Sequence, residues 1–167
     1  MVARVRLAAR DRAAVQALRD AAAQVDDLTE LMDRIGAALV ASTQMRFEDQ
    51  VSPAGVPWRR SHRAASVGGQ TLVESGRLRA SITHRPGPNA VEVGTNVRYA
   101  GTHQFGATIA AKTAKALRFR IGNAWVTKRA VTIPARPFLG LDAADRELIP
   151  AITTHWLRER LGDGAAA

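Results

Sequence analysis

Four histidines, at positions 62, 84, 103 and 155, are the side chains best suited to move a proton near neutral pH, and they are scattered along the chain. None belongs to a His-Glu-x-x-His pair that would set two imidazoles around a metal, and no glycine loop has phosphate-cradling spacing. Ser75 is the serine to consider as a nucleophile. It lacks a Gly-x-Ser-x-Gly elbow, and no acid nearby is placed to orient a histidine base, so it reads as the N-cap of a helical turn or two through Ala80. Asp26, Asp27, Glu30 and Asp33 crowd the start of a helix, where carboxylates suit the positive end of the dipole; a hard cation needs oxygens that converge. His103 has the strongest chemical claim because Tyr99 and Gln104 accompany it. Its alternative is a buried hydrogen-bonding histidine, with Gln104 supplying the donor and acceptor of a satisfied polar core. The expected activity is therefore binding, with no enzyme chemistry, cofactor or metal.

Two stiff stretches must position these groups. Arg98 to Gly106 holds the only tyrosine, one phenylalanine and one histidine, and reads as one or two helical turns closed by Gly106 in a left-handed C-cap. Ile133 to Leu141 carries Pro134 and Pro137, which fix φ and withhold amide donors. Between these prolines, Arg136 is expected on a rigid turn, presenting its guanidinium to a carboxylate on a partner or within the fold.

The supporting elements follow from periodicity. Residues 2–7 alternate as a half-buried strand, and Asp11 can cap a helix through about Ala23. The strongest helix spans Asp27–Asp49, with Leu28, Leu31, Met32, Ile35, Ala38, Leu39 and Ser42 on one stripe. Residues 52–70 form a long loop with Pro57-Trp58 at its start. Two readings stand: an arm that orders against a neighbouring subunit, or a loop with Trp58 tucked into its own core.

A first hairpin is expected at Ser81–Gly94, pairing Arg85 with Ala90 and placing Ile82, His84, Val91 and Val93 on one face. A second, Leu117–Lys128, turns at Gly122-Asn123, pairs Ile121 with Ala124 and sets Arg120 opposite Trp125 for a cation-π contact. Residues 107–116 read as a flexible segment. Asp142 caps a last helix with Leu148, Ile149, Ile152, Trp156, Leu157 and Leu161 in its stripe, kinked or split at Pro150, and the tail 162–167 is expected to fray. The fold class is α+β. A small antiparallel sheet of the first strand and two hairpins packs against the long N-terminal-half helix and the C-terminal helix, all in one domain over 1–167.

Composition narrows the setting. At 167 residues and 46% hydrophobic the chain suits one core. No apolar run approaches the ~20 residues of a membrane span, and the N-terminus is charged where a signal peptide turns apolar, so synthesis and folding in a cytoplasm are expected. Without cysteine there are no disulfides or thiolate sites. The net charge of +9 is concentrated. Residues 1–50 hold seven Lys/Arg and eight Asp/Glu, residues 51–140 fourteen and two, and residues 141–167 three and five. A middle segment of net +12 repels itself unless a polyanion, an acidic partner or counterions offset it.

The order Phe47-Glu48, Pro53-x-Gly55-x-Pro57-Trp58, Leu72-Val73-x-Ser75-Gly76-x-Leu78-x-x-Ser81, Tyr99-Ala100-x-x-His103-Gln104-Phe105-Gly106 and Pro134-Ala135-Arg136-Pro137-Phe138-Leu139-Gly140 resembles the phage virion morphogenesis family. This is the tail-completion or tail-to-head joining group of Mu-like and P2-like tailed phages. The resemblance covers nearly the whole chain and implies a structural protein of the virion neck or tail end, without catalytic residues. Together with the charge division it leads to the expectation of a homo-oligomeric ring, as a hexamer, against neck, connector or tail-tube proteins, with the basic middle segment facing either an acidic neighbouring ring or DNA in the channel, and with no membrane. The alternative is an independent nucleic-acid-binding protein using the same basic segment, weakened by scarce aromatics and no helix-turn-helix or zinc pattern. The residues singled out for binding and assembly are Trp58, Arg59, Arg60, Tyr99, His103, Gln104, Phe105, Arg118, Arg120, Arg136 and Phe138.

Overall fold

The apolar stripe of the long helix organises the packing. In the computed structural model, which describes residues 27–112, 115–121 and 124–161, this helix is α1, Thr29–Asp49. It starts where the Asp27 carboxylate accepts the Thr29 amide at 2.9 Å; the Thr29 hydroxyl first, and then this amide, hold the Asp27 carboxyl below its ordinary pKa. It stops at Gln50, which takes the left-handed conformation (φ 60°) usually left to glycine. The Gln50 side chain offsets that strain by donating to the Phe47 and Thr71 carbonyls and accepting the Thr71 amide.

Two short helices follow, α2 (His62–Ser66) and α3 (Arg77–Ala80), then the hairpin β1 (Thr83–Pro86) and β2 (Val91–Gly94). The pairing is Arg85 with Glu92 and His84 with Val93, so the hairpin is displaced by two positions from the expected register. Pro86 joins the strand, and the loop closes through a Gly87 amide to Ala90 carbonyl bond. A two-residue displacement keeps every side chain on its expected face, because strand side chains alternate with period two. That inner face lies on α1 so closely that a Cβ at Gly36 would come within 2.4 Å of the His84 ring. His84 reaches Asp33 of α1 at 2.9 Å.

Next come α4 (Ala100–Phe105) and a long excursion, β3 (Ala107–Ala110), β4 (Leu117–Ile121), β5 (Ala124–Lys128) and β6 (Ala130–Ile133). β3 pairs with β6 and β4 with β5, making one nested hairpin. Residues 107–110, expected as flexible, are thus a paired strand: the Ala-Thr-Ile-Ala run finds its partner in Ala130–Ile133 twenty residues on, beyond the reach of local pattern. The inner register, Ile121 with Ala124 and Arg120 with Trp125, is the expected one. The two expected hairpins do not share a sheet; among the described residues there are three two-stranded ribbons.

The last helix, α5 (Ala143–Leu161), is capped reciprocally. Asp142 accepts the Asp145 amide at 2.8 Å while Asp145 accepts the Asp142 amide at 3.0 Å. It is one helix through Pro150, where a kink or a split was expected, so the split does not occur; packing of Ile149, Ile152 and Trp156 on α1 outweighs the single lost hydrogen bond. The expected strand 2–7, the helix from Asp11, the Gly122-Asn123 turn and the tail 162–167 lie outside the described residues.

The core has two parts joined by α1. Leu31 and Ile35 meet Trp156 of α5, and Phe47 meets Trp58, Leu78, Ile82, Val97, Ala100 and Phe138. Phe47 and Phe138 are fully buried, each burial contributing about 1.5–3 kcal/mol.

Candidate assembly surface

The segment 134–145 is where the body is fastened. Gln104 on α4 donates to the Leu139 carbonyl at 2.9 Å and accepts the amides of Phe138 and Leu139 at 2.9 and 3.0 Å, acting like a short strand partner. Trp58 packs edge-on to Phe47 at 5.4 Å and donates its indole N–H to the Pro137 carbonyl at 2.9 Å. Trp58 is therefore a core residue, the second of its two sequence readings. Arg136, expected to project its guanidinium, is buried, and its Nε donates to the Arg59 carbonyl at 2.8 Å. Burial, with Arg59 nearby, lowers its pKa. The prolines that stiffen the turn also carry it inward, because the Arg136 amide must reach the His103 carbonyl at 2.6 Å. Phe138 is likewise core.

The buried arginine that meets carboxylates is Arg46, which the sequence reading did not single out. Its side chain is 4% exposed and donates to Ser42, to the carbonyls of Phe138 and Gly140, to Asp142 at 2.8 Å and to the fully buried Asp145. The Asp145 amide, the Arg46 guanidinium and the Ala144 amide hold the Asp142 carboxyl below the usual carboxylate range. A signal was present: Arg46 extends the stripe through Ile35, Leu39 and Ser42, so a charge there had to be buried with a counter-ion.

His103 sits between these fasteners. Its Nδ1 is buried and meets no hydrogen-bond partner among the described residues, and its ring lies edge-on to Tyr99 at 5.8 Å. Burial, then Arg136, pushes its pKa down, so it is neutral at physiological pH. No carboxylate orients it, and among the described residues no cluster of three or more His, Asp or Glu is placed to hold a metal.

Behind α4 the fasteners hold; in front of it Phe105 is 80% exposed and Tyr99 44%. Gly106 then turns the chain into the excursion with φ 74°, and a Cβ there would lie 2.9 Å from the Ala135 nitrogen. Both constraints require glycine, although ψ 163° is not the left-handed cap expected. Along residues 107–133 no described residue is buried. This arm carries Lys112, Lys115, Arg118, Arg120, Lys128 and Arg129 and no acid. Trp125 is 63% exposed, and the guanidinium over its ring, at 4.7 Å, is that of Arg118, the diagonal neighbour, where Arg120 had been expected. A cleft of about 590 Å³ separates Arg120 and Ile121 from His62 and Arg63 on α2. Arg59 and Arg60 are exposed, Arg60 donating to the Ala64 carbonyl at 2.7 Å. The expected residues thus divide: Trp58, Gln104, Arg136 and Phe138 hold the body together, while Tyr99, Phe105, Arg59, Arg60, Arg118 and Arg120 are presented outward or along the arm.

Residues 9–158 match the phage virion morphogenesis family. The chain is 30% identical over 130 residues to the protein named "Putative capsid assembly protein G" of Escherichia phage Mu, covering 71% of this chain and 72% of that one. It is 34% identical over 115 residues to the Mu-like prophage FluMu G protein 2 of Haemophilus influenzae, covering 69% and 67%. No solved structure matches. No described helix is long and apolar enough to cross a membrane.

Proposed function

The chain belongs to the phage virion morphogenesis family, and from that premise we propose that it is a structural protein of the virion neck or tail end, joining the completed tail to the head as a subunit of an oligomeric ring. Its work is binding, and it acts on no substrate. The observation that carries this reading is the mounting of α4. Gln104 and the Ala100 contact fix it from behind, so that Phe105 and Tyr99 stand outward on a rigid base. An apolar pair held still in the free subunit loses little conformational entropy on docking, which is how a small patch becomes a strong contact. Its partner in this reading is a second copy of the chain, and the ring then meets neighbouring neck, connector or tail-tube proteins.

Native mass measurement tests it. The wild-type protein is expected as a closed oligomer, with six subunits the expected number, and Phe105→Ser is expected to shift it to monomer without lowering Tm by more than about 2 °C, since surface substitutions are near neutral. A monomer in the wild type at all concentrations, or an unaltered ring in Phe105→Ser, removes this assignment. Immunolabelling of virions places the protein: label at the head-tail junction supports the neck reading, and label on the capsid shell overturns it.

A further inference from the structure

We infer that the basic arm, residues 107–133, grips the sugar-phosphate backbone of double-stranded DNA, without regard to base sequence. This deepens the neck reading by naming the partner of one surface, and rests on it only for where the DNA is met.

Three observations converge. The first is composition: six cations and no carboxylate over the whole arm. Among the described residues Glu30, Asp33, Glu48, Glu74, Asp142, Asp145 and Glu159 each pair with a basic group of the same molecule, which lowers the free acid that a second copy offers the arm. The second is placement. Arg118 and Arg120 share a face with Trp125, Lys128 pairs with Leu117 on the opposite face, and Ala111 and Arg129 meet where the outer ribbon passes into the inner one, beside Lys112. A flat protein partner reaches one face of a ribbon, whereas a ribbon seated in a DNA groove has phosphates along both of its sides. The third is shape. A two-stranded ribbon fits the roughly 12 Å width of the major groove, and side chains two apart on a strand stand about 7 Å apart, so Arg118 and Arg120 can each meet its own phosphate. Single-stranded binding would need successive aromatic platforms. The arm exposes one strongly, Trp125, and one of its ring faces is already occupied by Arg118. Across the cleft stand His62 and Arg63, the latter beside Glu74 at 3.9 Å.

The test is fluorescence anisotropy of a labelled DNA duplex with the full-length protein across a salt series, with oligomeric state read by native mass on the same samples. Four to six phosphate contacts give a log–log salt slope of about −4 to −5, an affinity loss of about 10²–10³-fold between 50 and 200 mM salt. Arg118→Gln with Arg120→Gln is expected to shallow that slope by about 2, and Lys112→Gln with Lys115→Gln to do the same. Arg77→Gln with Arg158→Gln removes equal charge from exposed positions on the body and is expected to leave the slope unchanged. No binding at 50 mM salt overturns the inference, as does an equal loss in the body variant. Polyglutamate binding as tightly as duplex would assign the arm to an acidic protein instead. A monomer that binds duplex leaves the inference standing while the ring reading fails; a ring that ignores duplex does the reverse.

Discussion

The body and the arm obey opposite rules of charge. Where the long helices of the body meet their neighbours, charges are matched. Arg46 is buried against Asp142 and Asp145, and Arg34 bridges Glu30 and Glu159 between α1 and α5. In the arm, six cations stand with no carboxylate among them, and no described residue is buried. A fold that only needed to be stable would have no use for such a segment, since like charges on a thin ribbon oppose folding. The contrast separates a body held by packed and paired groups from an arm that carries charge without burial.

The comparison breaks most visibly at Arg46. Arg46→Ala strands Asp145 as a buried charge and is expected to cost about 3–5 kcal/mol in urea unfolding. Arg46→Lys should recover only part, because an ammonium cannot serve two carboxylates and two carbonyls in one plane. A loss below 1 kcal/mol would show the body does not depend on this matching. Gln104→Ala comes next, at about 1–3 kcal/mol, because the buried Phe138 and Leu139 amides lose their acceptor. Full stability in that variant would mean α4 is held by apolar contact alone.

The pH dependence sharpens the same point. The Asp142 carboxyl has a folded pKa below its ordinary 3.8, so its contribution is complete above the ordinary carboxylate range and is lost as pH falls through the ordinary and then the folded value. Stability measured from pH 5 downward should fall less steeply in Asp142→Asn than in wild type; identical slopes would remove Asp142 from the acid response. The smallest effect belongs to the arm. Trp125→Ala is expected to change stability by no more than about 0.5 kcal/mol, and a larger loss would place the arm within the cooperative body.

How legible this was depended on range. α1, α5 with its Asp142 cap and the β4–β5 register could be read because their signals lie within one element or one turn. The first hairpin was displaced by two positions with its faces intact, since alternation fixes the face while the turn fixes the register. β3 was missed because its partner is distant and its own exposure does not alternate, although that of β6 does. Of the site residues, exposure of Phe105 and Tyr99 could not be told from burial by type alone. Arg136 and Arg46 exchanged the roles their surroundings suggested: proline neighbours spoke for presentation and a helical stripe for packing. Only the tertiary position of Asp142 and Asp145 decides which arginine meets acid.

Among the described residues each ribbon of the arm has two strands, so each strand has one edge with no strand paired to it. Open edges of this kind are templates on which identical chains stack into aggregates, and lysine and arginine side chains are a common guard against it. Every copy carries the same six cations and no carboxylate along its arm, so two arms approaching edge to edge repel. Neutralising the arm without a partner is expected to expose it to strand-on-strand precipitation.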